Sequence, residues 1–244
     1  MNPDLPGLRG RGFVGLRVVG DVHGDSRGFT AALEGARAAR LFLVQLGDLT
    51  DYGPDAPGAL RAALSMRSAG EGLFLLGNHD HKLRRALAGA QVRSPADALP
   101  RTLSQLRADP DGAALGEAAR AAIVQAPAWL HLGPWLFVHA AFHPAMLLQP
   151  SPPEAALQRP EGALARALYG QVTGSTQADG YPERLLRWVD SIPPGLTVFC
   201  GHDRRSTDGR PWRRPGRAGG EAVFMDTGAG KGGHLSWVDL RWPG

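Results

Sequence analysis

A single cysteine, Cys200, occurs among the 244 residues, so the chain cannot form an internal disulfide. The sequence also lacks a signal-peptide core and any apolar run of about 18 residues, the length that a membrane-spanning helix needs. These absences exclude a disulfide-stapled scaffold and a protein held by membrane helices. We therefore expect a cytoplasmic protein with no membrane partner.

Lysine is also scarce, with only Lys82 and Lys231, although 27 basic residues stand against 23 acidic ones for a net charge of +4. Arginine supplies nearly all of the positive charge, in a composition that is typical of GC-rich coding. A basic balance is also typical of proteins that bind phosphorylated or nucleic-acid partners, so charge alone decides nothing. The 43% hydrophobic content is that of a globular chain, and we expect one α/β domain over residues 1–244.

Short apolar runs alternate with helical patterns in the first third of the chain. The runs 16–19, 41–46 and 72–76 are too short for helices and suit strands that are buried on both faces. Between them, apolar residues recur at spacings of three and four behind capping residues, Asp25 or Ser26 in one case and Asp55 in the other. The pattern predicts the order β-α-β-α-β.

The remaining two thirds mix helices, strands and two irregular segments. Residues 79–127 are mostly helical in pattern, and later strands are predicted at 128–132, 135–140, 197–200, 222–225 and 235–240, the first two as a hairpin around Gly133-Pro134. The proline-rich stretch 149–160 is interpreted as a surface loop. Residues 204–217 hold six arginines and one aspartate, which favours either a solvated loop or a groove for a phosphate-rich substrate.

Polar clusters follow five of the apolar runs, at the place where open α/β sheets usually carry their sites. They are GDVHG (20–24), GDLTD (47–51), GNHD (77–80), His139 after an apolar run, and Gly201-His202. Asp21 and His23 stand two residues apart in an extended segment, so their side chains point the same way and can share a metal. Carboxylate and amide oxygens with neutral imidazoles suit divalent first-row metals, and a metal pair can carry a bridging hydroxide as nucleophile.

These motifs resemble those of the calcineurin-like metallophosphoesterases, and within them the phosphoprotein phosphatase branch. That branch has a single Gly-His, and here the string GHDRR places Arg204, not a second histidine, two residues after His202. Over nearly the whole chain, residues 77–89, 167–176 and 225–236 are similar to strings in the phosphatase domain of bacterial polynucleotide kinase-phosphatases and in bacterial symmetrical diadenosine tetraphosphatases. The resemblance implies an α/β fold of two packed mixed β-sheets flanked by helices, a four-layer sandwich with metals at the strand ends.

The resemblance also implies a role for each matching residue. Asp48 would bridge two divalent ions, manganese first, with iron, zinc or nickel as alternatives. The first ion would be held by Asp21, His23 and Asp48, and the second by Asp48, Asn78, His139 and His202. His79 would be the general acid that protonates the leaving oxygen, with Asp51 orienting it.

One departure from the family pattern concerns the phosphate. The family has Arg-Gly after the matching aspartate, whereas this chain has Tyr52-Gly53, and Leu76 replaces the family's arginine before GNH. Tyrosine offers one neutral hydrogen bond where arginine offers a charged fork. Tyr52, Asn78 and Arg204 are the predicted substrate-binding residues, and Lys82, Arg84 and Arg205 are further cations that could replace the arginine. Lys231 is expected in a turn and not on a phosphate, and His81 on the surface at a helix start.

Two functions of different classes fit this sequence. The first is a binuclear metal-dependent phosphatase that uses a metal-bridging hydroxide for in-line attack on phosphorus. The second is a metal-containing protein that binds a phosphorylated ligand and has weak or lost catalysis. The retention of Asp51 and His79 beside every metal position favours the hydrolase. Its substrate is a phosphoprotein, a dinucleoside polyphosphate or a phosphate-ended nucleic acid, and no obligate protein partner is indicated.

Overall fold

The first sheet of the computed structural model is built by the N-terminal βαβαβ segment and closed by the last strand. The model describes residues 3–92, 98–176 and 182–242. Strands β1 (Gly15–Val19), β2 (Leu41–Gln45) and β3 (Gly72–Phe74) are parallel, and β11 (Trp237–Arg241) pairs antiparallel with β1. The strand order is β11-β1-β2-β3. The carboxyl ends of three strands therefore meet at one edge.

The second sheet comes from the C-terminal half and has five strands in the order β4-β5-β8-β10-β9. Strand β5 is parallel to β8, and β8 is parallel to β10, so three more carboxyl ends lie side by side. Strands β4 and β9 pair antiparallel at the two edges. The strands are β4 (Trp129–Leu132), β5 (Trp135–Val138), β8 (Thr197–Cys200), β9 (Trp212–Pro215) and β10 (Glu221–Phe224).

Helices cover the outer faces, and most begin at a recognisable cap. The Asp25 side chain accepts a hydrogen bond from Gly28 N at 2.9 Å, and the Asp55 side chain accepts one from Gly58 N at 2.8 Å, as the sequence predicts for these two starts. The helices are α1 (Leu5–Gly10), α2 (Ser26–Ala38), α3 (Ala56–Ser68), α4 (Asn78–Leu87), α5 (Ala98–Ala108), α6 (Gly112–Val124) and α7 (Gly162–Tyr169).

Alternating side chains of each strand divide the core into two layers. Leu16 and Val18 of β1 lie in one buried cluster with Phe137 of β5 and Phe199 of β8, which joins the inner faces of the two sheets. Val19 of β1 belongs instead to the cluster that includes the buried faces of the helices. Both faces of the strands are thus buried, which explains their continuous apolar runs. The expected fold of two mixed sheets flanked by helices is confirmed.

Two features differ from the sequence-based predictions. Part of the arginine-rich segment 204–217 is the edge strand β9, and its Arg213 forms an ion pair with Glu221 of β10 at 2.7 Å. A hairpin of β6 (Val172–Thr176) and β7 (Pro182–Arg184) was not predicted, because β6 is exposed along its whole length and has no apolar alternation. No helix in the described ranges is long and apolar enough to cross a membrane.

Candidate metal centre

The strand-end turns of both sheets converge on one buried group of metal-binding side chains. Two sets of three have potential ligand atoms that all lie within 4.8 Å of one another. One set comes from the turns after β1 and β10, and the other combines the turn after β2 with the ends of β5 and β8. The sets are Asp21, His23 and Asp226, and Asp48, His139 and His202.

Asp48 lies between the two sets. Its Oδ2 is 3.8 Å from His23 Nε2 on one side and 3.4 Å from His139 Nε2 on the other. Asn78 joins the second set, because its Oδ1 lies 3.0 Å from His139 Nε2. The structure therefore brings together all six residues that the sequence predicts as ligands, with one carboxylate in the position that a bridging ligand needs.

Backbone strain is concentrated in these turns. Seven non-glycine residues in the described ranges have a positive φ, and five of them surround this centre: His23, Asp48, Asp51, Tyr52 and His202. Each left-handed residue costs about 1–3 kcal/mol, which the surrounding fold must offset. Such strain is common where a fold fixes functional side chains in place. Here the left-handed residues follow consecutive strand ends and turn their side chains toward the centre.

Two glycines of the motifs are needed because other groups come too close. A Cβ atom on Gly77 would overlap Asp48 Oδ1, and a Cβ on Gly201 would overlap Asp21 Oδ1. The space beside Gly201 is used by the Asp21 carboxylate, which accepts a hydrogen bond from His202 N at 3.1 Å. The glycine of each pair thus permits close packing of neighbouring turns around the carboxylates.

The histidines are oriented as metal ligands usually are. His23 Nδ1 lies 2.9 Å from the Thr50 carbonyl oxygen, and His139 Nδ1 lies 2.8 Å from that of Leu46. A carbonyl at Nδ1 fixes the proton there and leaves Nε2 with a lone pair that can coordinate a metal.

Unpartnered polar atoms in the centre fit divalent ions. Within the described residues, the buried side-chain atoms without a hydrogen-bond partner include His23 Nε2, His202 Nε2 and Asp226 Oδ2. Buried polar atoms are normally satisfied, so three orphans in one centre need an explanation. One ion in each set, held by imidazole nitrogens and carboxylate oxygens, would satisfy all three.

Electrostatics also favour a cation here. Burial, reinforced by the charges of Asp226 and Asp48, raises the pKa of Asp21 well above its usual value. Burial lowers the pKa of His23 and of His202, which keeps both imidazoles in the neutral form that binds metal. Burial alone would also lower the pKa of His139, but the Asp48 charge raises it to about 9. Without metal, His139 therefore carries a proton that balances the Asp48 charge. Bound cations would take over this role and leave His139 neutral.

Asp80 holds the backbone of the turns around the centre and was not identified from the sequence. Its Oδ2 accepts hydrogen bonds from Asp48 N at 2.7 Å and Gly77 N at 2.9 Å, while Oδ1 accepts one from Leu49 N at 3.0 Å. Burial and the Asp48 charge raise the pKa of Asp80 to about 6. The signal in the sequence is the third-position acid of the helix that begins at Asn78, which is half of a capping box.

The predicted acid pair is in place beside the ligands. His79 Nδ1 is hydrogen-bonded to Asp51 Oδ2, and Asp51 Oδ1 accepts a hydrogen bond from Thr102 Oγ1 at 2.7 Å. His79 N donates to Asp48 Oδ1 at 2.8 Å, and the His79 ring lies 5.2 Å from that of His23. The Nε2 atom of His79 is therefore the ring nitrogen that can face a substrate.

The predicted substrate-binding residues have different surroundings. Tyr52 packs edge-on against His23 and His79, with ring centroids 5.1 and 5.4 Å away. Arg204 lies against Gly228 in the turn that follows β10. Arg205, one of the alternative cations, forms an ion pair with Asp203.

The structure corrects the prediction for His81 and adds Asp226 to the centre. His81 is at a helix start as expected, but it is buried, not on the surface, and burial lowers its pKa to about 4. Asp226 was missed, although the apolar run before it was identified as a strand. Its only signal was the same one that marked the other ligands, an acidic residue at the end of a buried strand.

Comparison with known proteins agrees with this geometry. Residues 16–115 match the family model described as calcineurin-like phosphoesterase. A protein of Geobacillus thermodenitrificans named asymmetrical bis(5'-nucleosyl)-tetraphosphatase PrpE is 27% identical over 246 residues, which cover 93% of this chain and 90% of that one. A protein of Halalkalibacterium halodurans with the same name is 29% identical over 207 residues, covering 82% and 75%. These names say asymmetrical, where the sequence resemblance was drawn to symmetrical tetraphosphatases.

Solved structures show the same fold at low identity. One, described provisionally as a diadenosine tetraphosphatase, aligns with a TM-score of 0.55 and 22% identity over 95% of this chain and 96% of that one. A serine/threonine phosphatase from Saccharomyces cerevisiae with similarity to human PP5 aligns with a TM-score of 0.54 and 13% identity over 95% and 81%. Residues 16–115 therefore match the calcineurin-like phosphoesterase family, the solved structures share the fold, and the family match together with the named relatives supports phosphoric ester hydrolysis.

Proposed function

We propose that the chain hydrolyses phosphoesters with a pair of divalent ions. Asp21, His23 and Asp48 would hold one ion and Asp48, Asn78, His139 and His202 the other, with Asp226 adding a ligand to the first. The observation that carries this proposal is the position of Asp48 Oδ2, within 4 Å of imidazole nitrogens from both sets. When bound, such ions supply an activated water and stabilise charge on the attacking and departing oxygens.

The protein's own contribution is to position and deliver a proton. Because Asp51 occupies His79 Nδ1, the imidazole donates from Nε2 to the oxygen that leaves phosphorus. Thr102 and the helix that carries His79 keep this pair aligned. The buried neighbours exclude water from the pair and hold the proton at one atom.

The substrate that we propose is a dinucleoside polyphosphate. Support comes from the names of relatives that match most of the chain at 27% and 29% identity. Asymmetrical cleavage of diadenosine tetraphosphate would give AMP and ATP, whereas symmetrical cleavage would give two ADP molecules. A phosphopeptide and a phosphate-ended RNA represent the other two classes that fit the sequence.

One substrate panel tests the proposal. The protein is loaded with manganese and given the three substrates, and products are resolved by anion-exchange chromatography. We expect turnover of the tetraphosphate above the other two and its loss in Asp48→Asn, with His131→Ala as a control histidine outside the centre. Preference for the peptide or the RNA would overturn the substrate. Absence of turnover with any divalent metal, beside tight binding of a phosphorylated ligand, would overturn the hydrolase and favour a binding protein.

Three further points are part of the same proposal. Manganese is the first choice of metal, the location is cytoplasmic, and residues 1–244 form one domain. The single domain is supported by the composition of the centre, since Asp21 follows a strand of the first sheet and His202 follows a strand of the second. Elemental analysis of protein purified without added metal tests the metal.

A further inference from the structure

We propose that Lys231 binds the substrate phosphate in place of the arginine that Tyr52 replaces. The inference rests on the proposed function, because it assigns a substrate contact to the same centre. In the sequence, Tyr52 stands where the resembled family has the arginine that binds phosphate, so another cation is needed for that contact. The structure supplies a cation next to the residue that took the arginine's place, from a part of the chain that is 179 residues away.

A glycine-rich turn carries Lys231 to the centre. Gly228, Gly230 and Gly232 all have left-handed φ angles, of 81°, 69° and 87°, and Lys231 N donates to Gly228 O at 3.0 Å. A Cβ atom on Gly230 would overlap the backbone oxygen of His23. The turn is therefore packed directly on the backbone of one predicted ligand, which only glycine permits at that position.

The ammonium group lies over the Tyr52 ring. Lys231 Nζ is 4.7 Å from the ring centroid, a distance at which a cation is attracted to the face of an aromatic ring. The same ring stands edge-on to His23 and to His79. Tyr52 thus borders a predicted metal ligand, the proposed acid and the cation, so the ammonium lies beside the ring that adjoins the centre.

The replacement of arginine by tyrosine has two linked effects. It removes a guanidinium, and it provides an aromatic face on which a different cation can rest. A lysine is a compact charge with three donors on a flexible stem, and lysine is a common phosphate ligand. Its side chain is only 13% exposed, and its Nζ lies close to both Asp226 and the Tyr52 ring, so its charge is weakly screened by solvent on the side of the centre.

The alternative role for Lys231 is to balance the charge of Asp226. Its Nζ forms an ion pair with Asp226 Oδ2 at 3.9 Å, a distance longer than a hydrogen bond, and that oxygen has no hydrogen-bond partner. A divalent ion in the set Asp21, His23 and Asp226 would take over the carboxylate. With the Asp226 charge shared with that ion, Lys231 would also attract an incoming phosphate.

Phosphate binding separates the two roles. Inorganic phosphate is titrated calorimetrically into manganese-loaded protein, and metal content, KM and kcat are measured alongside. We expect Lys231→Met to raise the phosphate Kd and the KM by about 10- to 100-fold, the range of a charge-assisted hydrogen bond, with metal content unchanged. Lys231→Arg should lose less. Arg159→Met removes the same charge from a surface side chain that is 90% exposed and should leave the Kd as it is.

A double variant makes the test specific. Adding Tyr52→Arg to Lys231→Met restores the family's own cation, and phosphate affinity should recover. Loss of metal in Lys231→Met with an unchanged Kd for phosphate, or absence of recovery in a folded, metal-loaded double variant, would overturn the assignment. If the wild-type protein hydrolyses no phosphoester but Lys231→Met still weakens phosphate binding, the proposed function fails and this inference stands.

Discussion

Removing His79 gives the sharpest test of how the proposed site performs its chemistry. In His79→Ala, the Nε2 proton donor is lost, while His79 N can still donate to Asp48 Oδ1, because that 2.8 Å hydrogen bond comes from the backbone. The His79 side chain is not within the two sets of potential metal ligands. The variant is therefore expected to keep its metal and to lose its general acid.

The size of the loss depends on the leaving group. A general acid contributes about 10²- to 10⁴-fold, equivalent to about 3 to 5 kcal/mol of barrier, when the departing oxygen must be protonated. An alkyl phosphate leaves as a basic alkoxide and needs the full contribution. Nitrophenolate leaves without a proton and needs little of it. A dinucleoside polyphosphate, whose leaving group is itself a phosphate, should lie near nitrophenolate.

The assay compares kcat for glycerol phosphate and p-nitrophenyl phosphate in the wild type, His79→Ala and Asp51→Asn. We expect kcat for glycerol phosphate, divided by kcat for p-nitrophenyl phosphate, to fall by about 10²-fold or more in His79→Ala. The fall should be smaller in Asp51→Asn, because an amide oxygen can still accept a hydrogen bond from Nδ1. His131→Ala is the control. Equal losses for both substrates would show that His79 does not donate the proton, and loss of metal would show that it acts as a ligand.

Three further substitutions test the surroundings of the centre. Asp226→Asn should weaken manganese binding to chelator-treated protein by about 10- to 100-fold or more, since even outer partners of ligands contribute that much, and unchanged calorimetric affinity would exclude Asp226 as a ligand. Asp80→Asn places an amide donor against backbone N–H groups, so unfolding should become easier by about 1–3 kcal/mol, with Tm falling by about 2–4 °C per kcal/mol. The same variant should lose a pH dependence of the free energy of unfolding. Burial and the Asp48 charge raise the pKa of Asp80 from 3.8 to about 6, so between these values the native state holds more protons than the unfolded chain. The metal-free wild type should therefore lose stability as the pH rises through this range, which urea titrations at several pH values would detect. Gly77→Ala should displace Asp48 and lower metal content, whereas Gly10→Ala, where nothing lies within 4 Å of the new Cβ and φ is not left-handed, should retain the metal.

The parts of the fold that the sequence predicts are those governed by burial. Strands such as Leu41–Gln45 are buried on both faces and form unbroken apolar runs, and their ends are marked by polar clusters. The edge strand Trp212–Pro215 was not predicted, because it is largely exposed and bounded by proline, which an edge strand tolerates. The strand Val172–Thr176 is exposed throughout, so no periodicity could identify it.

The site shows the same division between local and long-range information. Asp21 and His23 are marked by their spacing, and His79 by its position after Asn78. Asp226 and Lys231 belong to the centre only because the turn after β10 is packed on the turn after β1, and nothing in residues 225–236 alone gives that neighbour. Lys231 lies in a turn as predicted, but the direction of its side chain depends on three left-handed glycines and on Tyr52.

The seam between the two sheets explains why the centre forms where it does. Gly20, at the end of β1, lies so close to the second sheet that a Cβ there would overlap the backbone oxygen of Met225, and Gly20 N is held by Ser236 O at 3.1 Å. Asp21 and Asp226, the next residues of each segment, are thereby forced together in spite of their like charge. A divalent ion bound here would relieve that repulsion and join one sheet to the other, so we expect the binding of metal and the stability of the fold to be coupled. Burial, reinforced by this repulsion, raises the pKa of Asp21, and that shift is the electrostatic cost of building a cation site at the junction of two sheets.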